Sequence, residues 1–336
     1  MKFNKVNILL ITVLLLAVMI APIKARAGRT VEDMKGREVE LPDKVERVAT
    51  AYTPATQFVL ALGMEDKLVA AATGKPNQKV FDQLAPEVEE LPGISEDKTG
   101  VNLESAGEVD PDLVILSPHG GSKETAEKLE QLGIASIIIN PEGFSLMRET
   151  VDLLGEALNA QKQAAKVDKQ YEKIVELTER AENIPKEEKK KVYFANSELL
   201  DTVGDNMLQS DLIEMAGGIN PAAESKEGFV ETSPEQLMAW DPDCIIVSKF
   251  YRDELSSISD KSQYSGITAV REENIARIPS NLEPWDYPSP ASGLIPLWLA
   301  EKLYPKKYED IELTEIVNDF YKTLYGSTFN ELNGEL

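Results

Sequence analysis

One segment of the chain occurs twice. NLESAGEVDPDLVILS, starting at Asn102, is matched at one constant spacing by SPEQLMAWDPDCIIVS, starting at Ser233. Both copies contain Asp-Pro-Asp, which begins at Asp110 in the first copy and at Asp241 in the second. An internal repeat of this kind predicts two structural units of the same design rather than one undivided domain.

Each copy predicts a short helix followed by a buried strand. Proline disfavours helical backbone in the residue before it, so each helix should end at the first aspartate of Asp-Pro-Asp. The continuous apolar run after it is typical of a parallel strand that is covered on both faces. The same alternation continues along the chain, with strands expected at 47–51, 67–72, 135–140 and 191–195 and helices at 54–62, 123–132 and 209–215. The fold class is therefore α/β, with two Rossmann-like lobes built on parallel sheets.

A long helix is predicted between the two lobes, over residues 159–183. Asn159 is suited to cap its start and Pro185 to end it. Apolar side chains that recur at helical spacing give it a buried face. They are Val167, Tyr171, Ile174 and Val175. A helix of this length is long enough to lie across both lobes.

Residues 1–27 have the pattern of an export signal. Lys2 and Lys5 precede an apolar run over residues 8–20, and Ala25 and Ala27 are small residues at the positions that a signal peptidase reads. The run is shorter than the roughly 20 residues that a spanning helix needs. We expect cleavage after Ala27 and a soluble protein in the periplasm or another extracytoplasmic space. The chain then divides into a signal peptide (1–27), an N-terminal lobe (28–158), a connecting helix (159–184) and a C-terminal lobe (185–336).

Charge and residue content exclude several kinds of function. With 35 Lys and Arg against 58 Asp and Glu, the net charge is −23, which repels the phosphates of nucleic acids. One cysteine, Cys244, and one histidine, His119, are too few for a zinc site or for the iron–sulfur cluster of a nitrogenase-like enzyme. No serine-hydrolase elbow, nucleotide phosphate loop or zinc-protease helix occurs. We therefore expect a monomeric protein that is not an enzyme and has no resident cofactor.

Several motifs occur in the order found in a known family. They are VED and GR near residue 31, LPDKVERVA, the first repeat copy, GGINPAAE, SPEQLMAWDPD and GLIPLWLAEKLYP. Together they resemble the class III substrate-binding proteins of ABC importers, the group that includes cobalamin, ferric-siderophore and haem binders. The resemblance extends over nearly all of residues 29–326. It implies two α/β lobes joined by one rigid helix, with the solute held in the cleft between them.

The resemblance also implies a partner and two docking residues. Members of this family dock on a membrane permease, which works with a cytoplasmic ATPase, through one acidic residue in each lobe. The matching positions are Glu104 and Glu235, which stand at equivalent places in the two repeat copies. A glutamate on a helix surface needs no such role, but the repeat symmetry favours docking.

The candidate ligand contacts lie in loops that follow predicted strands. Open parallel sheets bind ligands beyond the carboxyl ends of their strands. Basic residues there favour an anionic ligand in an otherwise acidic protein, and aromatic residues offer flat walls. His119, in SPHGG, is also the one candidate metal ligand. The full set is Tyr52, Lys75, His119, Lys123, Asn196, Lys249, Tyr251, Arg252, Trp285 and Tyr287.

The motifs leave the class of ligand open. The C-terminal motif YPSPASGLIPLWLAEKLYP is similar to a branch of the family that handles ferric chelates or molybdate-type oxyanions. Haem-binding members usually place a tyrosine in the loop after the second strand, and the loop at 72–76 has none. We expect the transported ligand to be a metal chelate of the ferric-siderophore type. The alternatives are a molybdate or tungstate oxyanion and a nickel, cobalt or corrinoid complex.

Overall fold

The computed structural model describes residues 28–74, 79–96, 100–225, 228–260 and 262–336. The expected export signal and Lys75 lie outside these described residues. Within the described ranges, none of the helices combines the length and the apolar character that crossing a bilayer requires.

The N-terminal half of the chain forms a four-stranded parallel sheet and two antiparallel hairpins. The strands are β1 (Gly28–Glu32), β2 (Glu38–Pro42), β3 (Val48–Thr50), β4 (Leu68–Ala70), β5 (Ser95–Glu96), β6 (Gly100–Val101), β7 (Leu113–Leu116) and β8 (Ala135–Ile138). The parallel sheet has the order β4-β3-β7-β8, and the hairpins are β1-β2 and β5-β6. The four strands of this sheet were all predicted; the hairpins were not.

The C-terminal half has a similar parallel sheet, in which a single bridge takes the place of the fourth strand. Its strands are β9 (Val192–Ala195), β10 (Asp201–Val203), β11 (Phe229–Glu231), β12 (Cys244–Val247) and β13 (Ile275–Arg277). The parallel sheet has the order β13-β12-β9, and β10 and β11 form a hairpin. Beside β9, where the other lobe has β4, a single parallel bridge joins Lys191 to Ile219.

Helices alternate with the strands in both halves, as the sequence predicts. In the first half they are α1 (Thr53–Ala61), α2 (Lys79–Leu84), α3 (Pro86–Glu89), α4 (Leu103–Glu108), α5 (Ser122–Gln131) and α6 (Phe144–Ala157). The long helix is α7 (Gln161–Glu182). In the second half they are α8 (Leu208–Met215), α9 (Pro234–Trp240), α10 (Ser256–Ser259), α11 (Thr268–Arg271), α12 (Ile295–Leu303) and α13 (Leu313–Tyr325).

The internal repeat is preserved in the backbone. Asp110 and Asp241 both have left-handed backbone, with φ angles of 42° and 44°. The carboxylates of Asp112 and Asp243 each accept a hydrogen bond from the backbone N–H that directly precedes the neighbouring strand, β3 or β9, at 3.1 and 2.8 Å. Each copy therefore uses the same turn to lead a short helix into a parallel strand.

Both parallel sheets are covered on two faces. In β7, Leu113 and Ile115 belong to a core shared by the two lobes, whereas Val114 and Leu116 belong to a cluster on the outer face. The side chains of β12 alternate in the same way between the shared core and an outer cluster. Cys244, the match of Leu113, is fully buried, as its place in the predicted buried strand of the second repeat copy requires.

The connecting helix α7 has 22 residues and spans about 33 Å at 1.5 Å per residue. Val167, Tyr171 and Ile174 are fully buried on its inner face, which confirms the predicted apolar stripe. The predicted cap is wrong. Asn159 has a φ of 60°, and its N–H donates to the backbone oxygen of Glu156 at the end of α6. The residue that precedes α7 is Ala160. The reason is the tight reversal between the two helices, which needs the left-handed backbone that asparagine tolerates.

The last helix of the chain returns to the N-terminal lobe. Gln163 in α7 donates to the backbone oxygen of Thr323 in α13 at 2.8 Å, and Lys173 pairs with Asp319 at 2.9 Å. The Tyr171 ring contacts the rings of Phe144 in α6 and of Phe320 in α13, with centroids 5.5 and 5.9 Å apart. The lobes therefore share one packed interior instead of meeting only at the connecting helix.

Candidate functional site

Polar and aromatic side chains gather beyond the carboxyl ends of the N-terminal strands. Tyr52 follows β3, His119 follows β7 and Glu142 follows β8. The rings of Tyr52 and His119 meet edge to face, with centroids 6.1 Å apart. Since all four strands are parallel, these loops share one edge of the sheet, which is where an open α/β sheet binds its ligands.

Tyr52 is the most deeply placed of these side chains. It is 8% exposed, and its hydroxyl makes no hydrogen bond within the described part of the chain. Burial, together with the nearby Glu142 carboxylate, raises the pKa of this hydroxyl, so it is a neutral donor and acceptor. A buried hydroxyl without a partner costs free energy, and such groups are rare in folded proteins.

His119 is paired with a carboxylate. Its Nε2 lies 3.4 Å from Oε1 of Glu142, and the histidine side chain is about half exposed whereas that of Glu142 is mostly covered. The imidazole is thus oriented by Glu142 beside the Tyr52 ring. In the described ranges, no three His, Cys, Asp or Glu side chains converge as a metal centre would require.

The C-terminal lobe supplies an aromatic wall opposite. The ring of Tyr287 lies 6.5 Å from that of Tyr52, centroid to centroid, and 6.2 Å from that of Phe250. Tyr287 is half-buried, and Phe250 is exposed. Burial, with Glu142 nearby, raises the pKa of Tyr287. Rings from both lobes therefore meet across the cleft.

Two helices of the N-terminal lobe begin at this cleft without side-chain caps. Tyr52 precedes α1 and Gly121 precedes α5, and neither residue caps its helix with a side-chain hydrogen bond. In α6, by contrast, the first N–H, that of Phe144, already donates to Asp211 of the other lobe at 2.6 Å. Uncapped helix starts present backbone N–H donors and a positive dipole end, which suit an anion.

A charged network fixes the loop that presents Phe250. Arg277 donates from Nη1 to the backbone oxygens of Ser248 and Tyr251 at 2.9 and 3.1 Å. The buried carboxylate of Asp286 accepts from the N–H of Lys249 at 3.2 Å. Burial raises the pKa of Asp286 and lowers that of the half-buried Lys249 side chain, which Arg277 lowers further. The Arg277 guanidinium and the Asp286 carboxylate therefore hold the loop in place, and Lys249 takes part through its backbone N–H.

No described ring contact, hydrogen bond or ion pair links the remaining sequence candidates to Tyr52, His119 or Tyr287. Tyr251 is buried in the outer core of the C-terminal lobe, and Trp285 is fully buried and donates from Nε1 to Tyr321 at 3.1 Å. Arg252 forms an exposed ion pair with Glu198 at 2.8 Å. Asn196 is bonded to Asp201, and Lys123 is exposed on α5. Lys75 lies outside the described residues.

The two candidate docking residues occupy equivalent positions. Glu104 and Glu235 are both exposed in the first turn of their helices, α4 and α9. Asn102 caps α4 by accepting from the N–H of Ser105 at 3.0 Å, and Ser233 caps α9 in the same way at 3.1 Å. The repeat therefore presents one carboxylate from each lobe on the same local framework.

Sequence reasoning missed Glu142, Phe250 and Asp286. Glu142 and Phe250 follow predicted strands, so the rule that placed Tyr52 and His119 also applies to them. Asp286 had no such signal, because its role depends on a loop from another part of the chain packing on it.

Comparisons with known proteins agree with this arrangement. A family model described as periplasmic binding protein matches residues 48–282. The molybdate-binding protein MolA of Haemophilus influenzae is 25% identical over 333 residues, which cover 92% of this chain and 94% of that protein.

Solved structures show the same fold. The structure of MolA from Haemophilus influenzae with molybdate matches with a TM-score of 0.79 at 24% identity, covering 89% of this chain and 98% of that one. A periplasmic solute-binding protein from Veillonella parvula matches with 0.77 at 26% identity, covering 91% and 98%. CeuE of Helicobacter pylori in a nickel–histidine complex matches with 0.76 at 20% identity, covering 91% and 98%. The chain belongs to the periplasmic binding protein family, in the class III group of ABC-importer binding proteins that its motifs resemble.

Proposed function

We propose that this protein captures a small oxyanion of the molybdate or tungstate type in its interlobe cleft and delivers it to an ABC permease. MolA, a relative that matches nearly the whole length of this chain, is named for molybdate. This proposal puts the oxyanion, which the sequence left as an alternative, ahead of the ferric-siderophore chelate.

The buried hydroxyl of Tyr52 is the observation that carries the proposal. It lies at the ligand-binding edge of the sheet and has no hydrogen-bond partner among the described residues. A bound oxyanion would accept its proton and remove the cost of the unpaired group. The uncapped starts of α1 and α5 would add backbone N–H donors, and His119 an imidazole donor.

The contact between the lobes supports a small ligand. The Tyr52 and Tyr287 rings touch across the cleft, with centroids 6.5 Å apart. A siderophore-sized chelate would have to separate them widely, and the core shared by the two lobes opposes that movement. A tetrahedral anion needs a much smaller displacement.

A metal complex is the second candidate, and the pairing of His119 with Glu142 favours it. Imidazole and carboxylate are both common metal ligands, and a partly coordinated nickel or cobalt ion would bring the other ligands itself. The structure of CeuE contains nickel and histidine. This candidate keeps the same cleft and changes the charge of the cargo.

Partner and location complete the proposal. We propose that Glu104 and Glu235 contact the permease, that residues 1–27 are removed after Ala27, and that the protein acts in the periplasm or an equivalent space. We also keep the division into lobes at 28–158 and 185–336 with the helix at 159–184 between them. The matching family model, described as periplasmic binding protein, and a relative named as an ABC-transporter substrate-binding lipoprotein support this location and partner.

A thermal-shift panel tests the class of ligand. The purified protein is heated with molybdate, tungstate, sulfate, a ferric siderophore, nickel with histidine, and cobalamin. At a hundredfold excess over Kd, the true ligand should stabilise the protein by about 2.7 kcal/mol. Stabilisation by nickel–histidine but not by molybdate or tungstate would favour the second candidate, and stabilisation by the siderophore alone would restore the sequence-based expectation.

A matched pair of tyrosine variants tests the site. Tyr52→Phe removes the unpaired hydroxyl in the cleft, and Tyr308→Phe removes another buried hydroxyl without a described partner, away from the cleft. We expect the first to weaken molybdate binding by a factor of about 10 to 100, since a hydrogen bond to a charged group contributes about 1.5–3 kcal/mol, and the second to leave it unchanged. Equal effects of the two variants, measured by calorimetry, would refute the role of Tyr52.

A further inference from the structure

A fully buried carboxyl group lies at the junction of the two lobes. Glu283, in the segment after β13, is 0% exposed. Its Oε2 accepts from Nε2 of Gln57 in α1 at 2.6 Å, and its Oε1 accepts from the hydroxyl of Tyr321 in α13 at 2.9 Å. Glu283 thus bonds to a helix of the opposite lobe and to the C-terminal helix at the same time.

Gln57 and Glu283 each lie within a few residues of a tyrosine that lines the cleft, Tyr52 or Tyr287. Gln57 lies in the helix that Tyr52 begins, and Glu283 lies in the short segment that leads to Tyr287. That segment is further fixed by the bond from Trp285 to Tyr321 and by the N–H of Val80, which donates to Leu282. A change at Glu283 is therefore transmitted to the spacing of the two tyrosine rings.

The surroundings of Glu283 contain no described cation that would hold it ionised. The groups that face it are Gln57 from α1, Tyr321 and Tyr325 from α13, and Tyr171 from α7. The charged side chains of α2, Lys79 and Asp82, are exposed, and Asp286 on its own segment bonds to the loop after β12. A carboxylate in such a place is paired only with neutral donors.

We propose that Glu283 is a positioning residue of the cleft: with its proton, it holds the Tyr52 and Tyr287 walls at their close spacing, and on ionisation it loosens them. This inference rests on the proposed function, because the walls matter only if the cleft binds a solute. Gln57 can bond to Glu283 in both protonation states. Its Nε2 donates to the carboxylate, and its Oε1, which is buried without a described partner, can accept from the carboxylic acid once the side-chain amide flips.

The ionisation falls in an accessible range of pH. Burial raises the pKa of Glu283 to about 7, against the hydrogen bonds from Tyr321 and Gln57, which lower it. Because the folded-state pKa lies above the ordinary value of a glutamate, the stabilising contribution of the neutral group is complete below about pH 4.3 and is lost as the pH rises through about 7. The junction should therefore be tighter below about pH 7 than above it.

Spin labels on the two lobes test the loosening without any ligand. Cysteines replace exposed Lys128 on α5 and exposed Glu272 after α11, while the native Cys244 is buried, with burial raising its pKa to about 12, and does not react. We expect a narrow distance distribution at pH 5.5 and a broader one at pH 8.5. In Glu283→Gln, which keeps a neutral side chain of the same shape, the distribution should stay narrow at both. Glu301→Gln, at a half-buried glutamate in α12, is the matched control and should keep the pH dependence.

Molybdate titrations then separate the two proposals. At pH 5.5 the wild type and Glu283→Gln should bind molybdate with nearly equal affinity. At pH 8.5 the wild type should bind it at least threefold more weakly than Glu283→Gln does. A distance distribution that does not change with pH, or that changes equally in Glu283→Gln, overturns the positioning role even if molybdate binds. If no ligand of the panel binds, the proposed function fails while the spin-label result still decides the behaviour of the junction. If Glu283→Gln does not fold, Gln57→Ala is used in its place. A spin-label distance distribution that is broad at both pH values then supports the positioning role. A narrow distribution at pH 5.5 overturns it.

Discussion

The two lobes share a framework but differ where their strands end. Both have a side-chain cap before α4 or α9, an exposed glutamate in the first turn, a left-handed aspartate after the helix and a parallel strand in the middle of the sheet. Beyond the strands the lobes diverge. The N-terminal lobe leaves the Tyr52 hydroxyl without a described partner beside an aromatic ring of the other lobe, whereas the C-terminal lobe uses Arg277 and Asp286 to fix its own loop.

This difference separates the parts of the molecule by task. Symmetry is kept in the helix that carries the proposed docking glutamate, where a permease would need one similar contact from each half. It is lost at the cleft, where one small solute needs a single asymmetric set of donors. The N-terminal lobe would then supply the donors, and the C-terminal lobe a rigid aromatic wall.

The largest effect should come from removing both docking glutamates. The Glu104→Ala/Glu235→Ala variant should lower molybdate uptake by cells more than tenfold, because losing one partner of a desolvated charge pair costs about 2–5 kcal/mol. The two single variants should lose similar amounts if the lobes dock alike. Glu127→Ala, at an exposed glutamate in α5, is the control. Weaker solute binding by the purified double variant would refute a pure docking role.

The two matched core positions should differ next. Leu113→Ala should lower the free energy of unfolding by about 3 kcal/mol, through lost burial and the cavity that remains. Cys244→Ala, at the equivalent place, removes only a sulfur atom and should cost about 1 kcal/mol. Both side chains belong to the core shared by the lobes, so urea unfolding should remain one transition in each variant. Two separate transitions would show that the lobes unfold independently.

The parts of the framework that could be predicted from sequence are those whose signals are local. Proline after aspartate, continuous apolar runs and the helical spacing of Val167, Tyr171 and Ile174 each act within a few residues, and the observed elements agree with them to within a residue or two. The strand β13, the three hairpins and the helices α6, α12 and α13 were not predicted. Among them, β5 and β6 are only two residues each, too short for a periodic pattern.

The site was less predictable because its chemistry depends on pairing between distant segments. The sequence predicts Lys249 and Arg252 as cations of the cleft, but Arg252 is paired with Glu198, and Lys249 is bonded to Asp286 through its backbone N–H while its side chain is half-buried. Trp285 read as a cleft wall, but the C-terminal helix covers it through Tyr321. Tyr52, His119 and Tyr287 are the predicted contacts whose rings the structure brings together, and their role in binding stays a prediction.

Substitutions of the helix-capping residues test whether the two repeat copies contribute equally to stability. Asn102→Ala and Ser233→Ala each remove a side chain that accepts from a first-turn N–H, and each should lower the free energy of unfolding by about 1 kcal/mol. Asn102→Asp and Ser233→Thr keep the capping oxygen and should lose much less. A cost in one lobe but not in the other, in urea titrations, would show that the repeat matches in geometry but not in energy.

The smallest effects should come from the exposed cations, and these test the asymmetry of the cleft. Arg252 and its partner Glu198 are 69% and 66% exposed in their side chains, so the pair contributes at most about 0.5 kcal/mol, and Lys123 is exposed on the other lobe. Arg252→Ala and Lys123→Ala should therefore each change molybdate affinity less than twofold. Affinity that falls in both variants and also falls steeply with salt would mean that surface charge from both lobes attracts the anion. If instead affinity is lost only in Tyr52→Phe, at any salt concentration, the donors of one lobe hold the solute and the cations of the other only shape the wall.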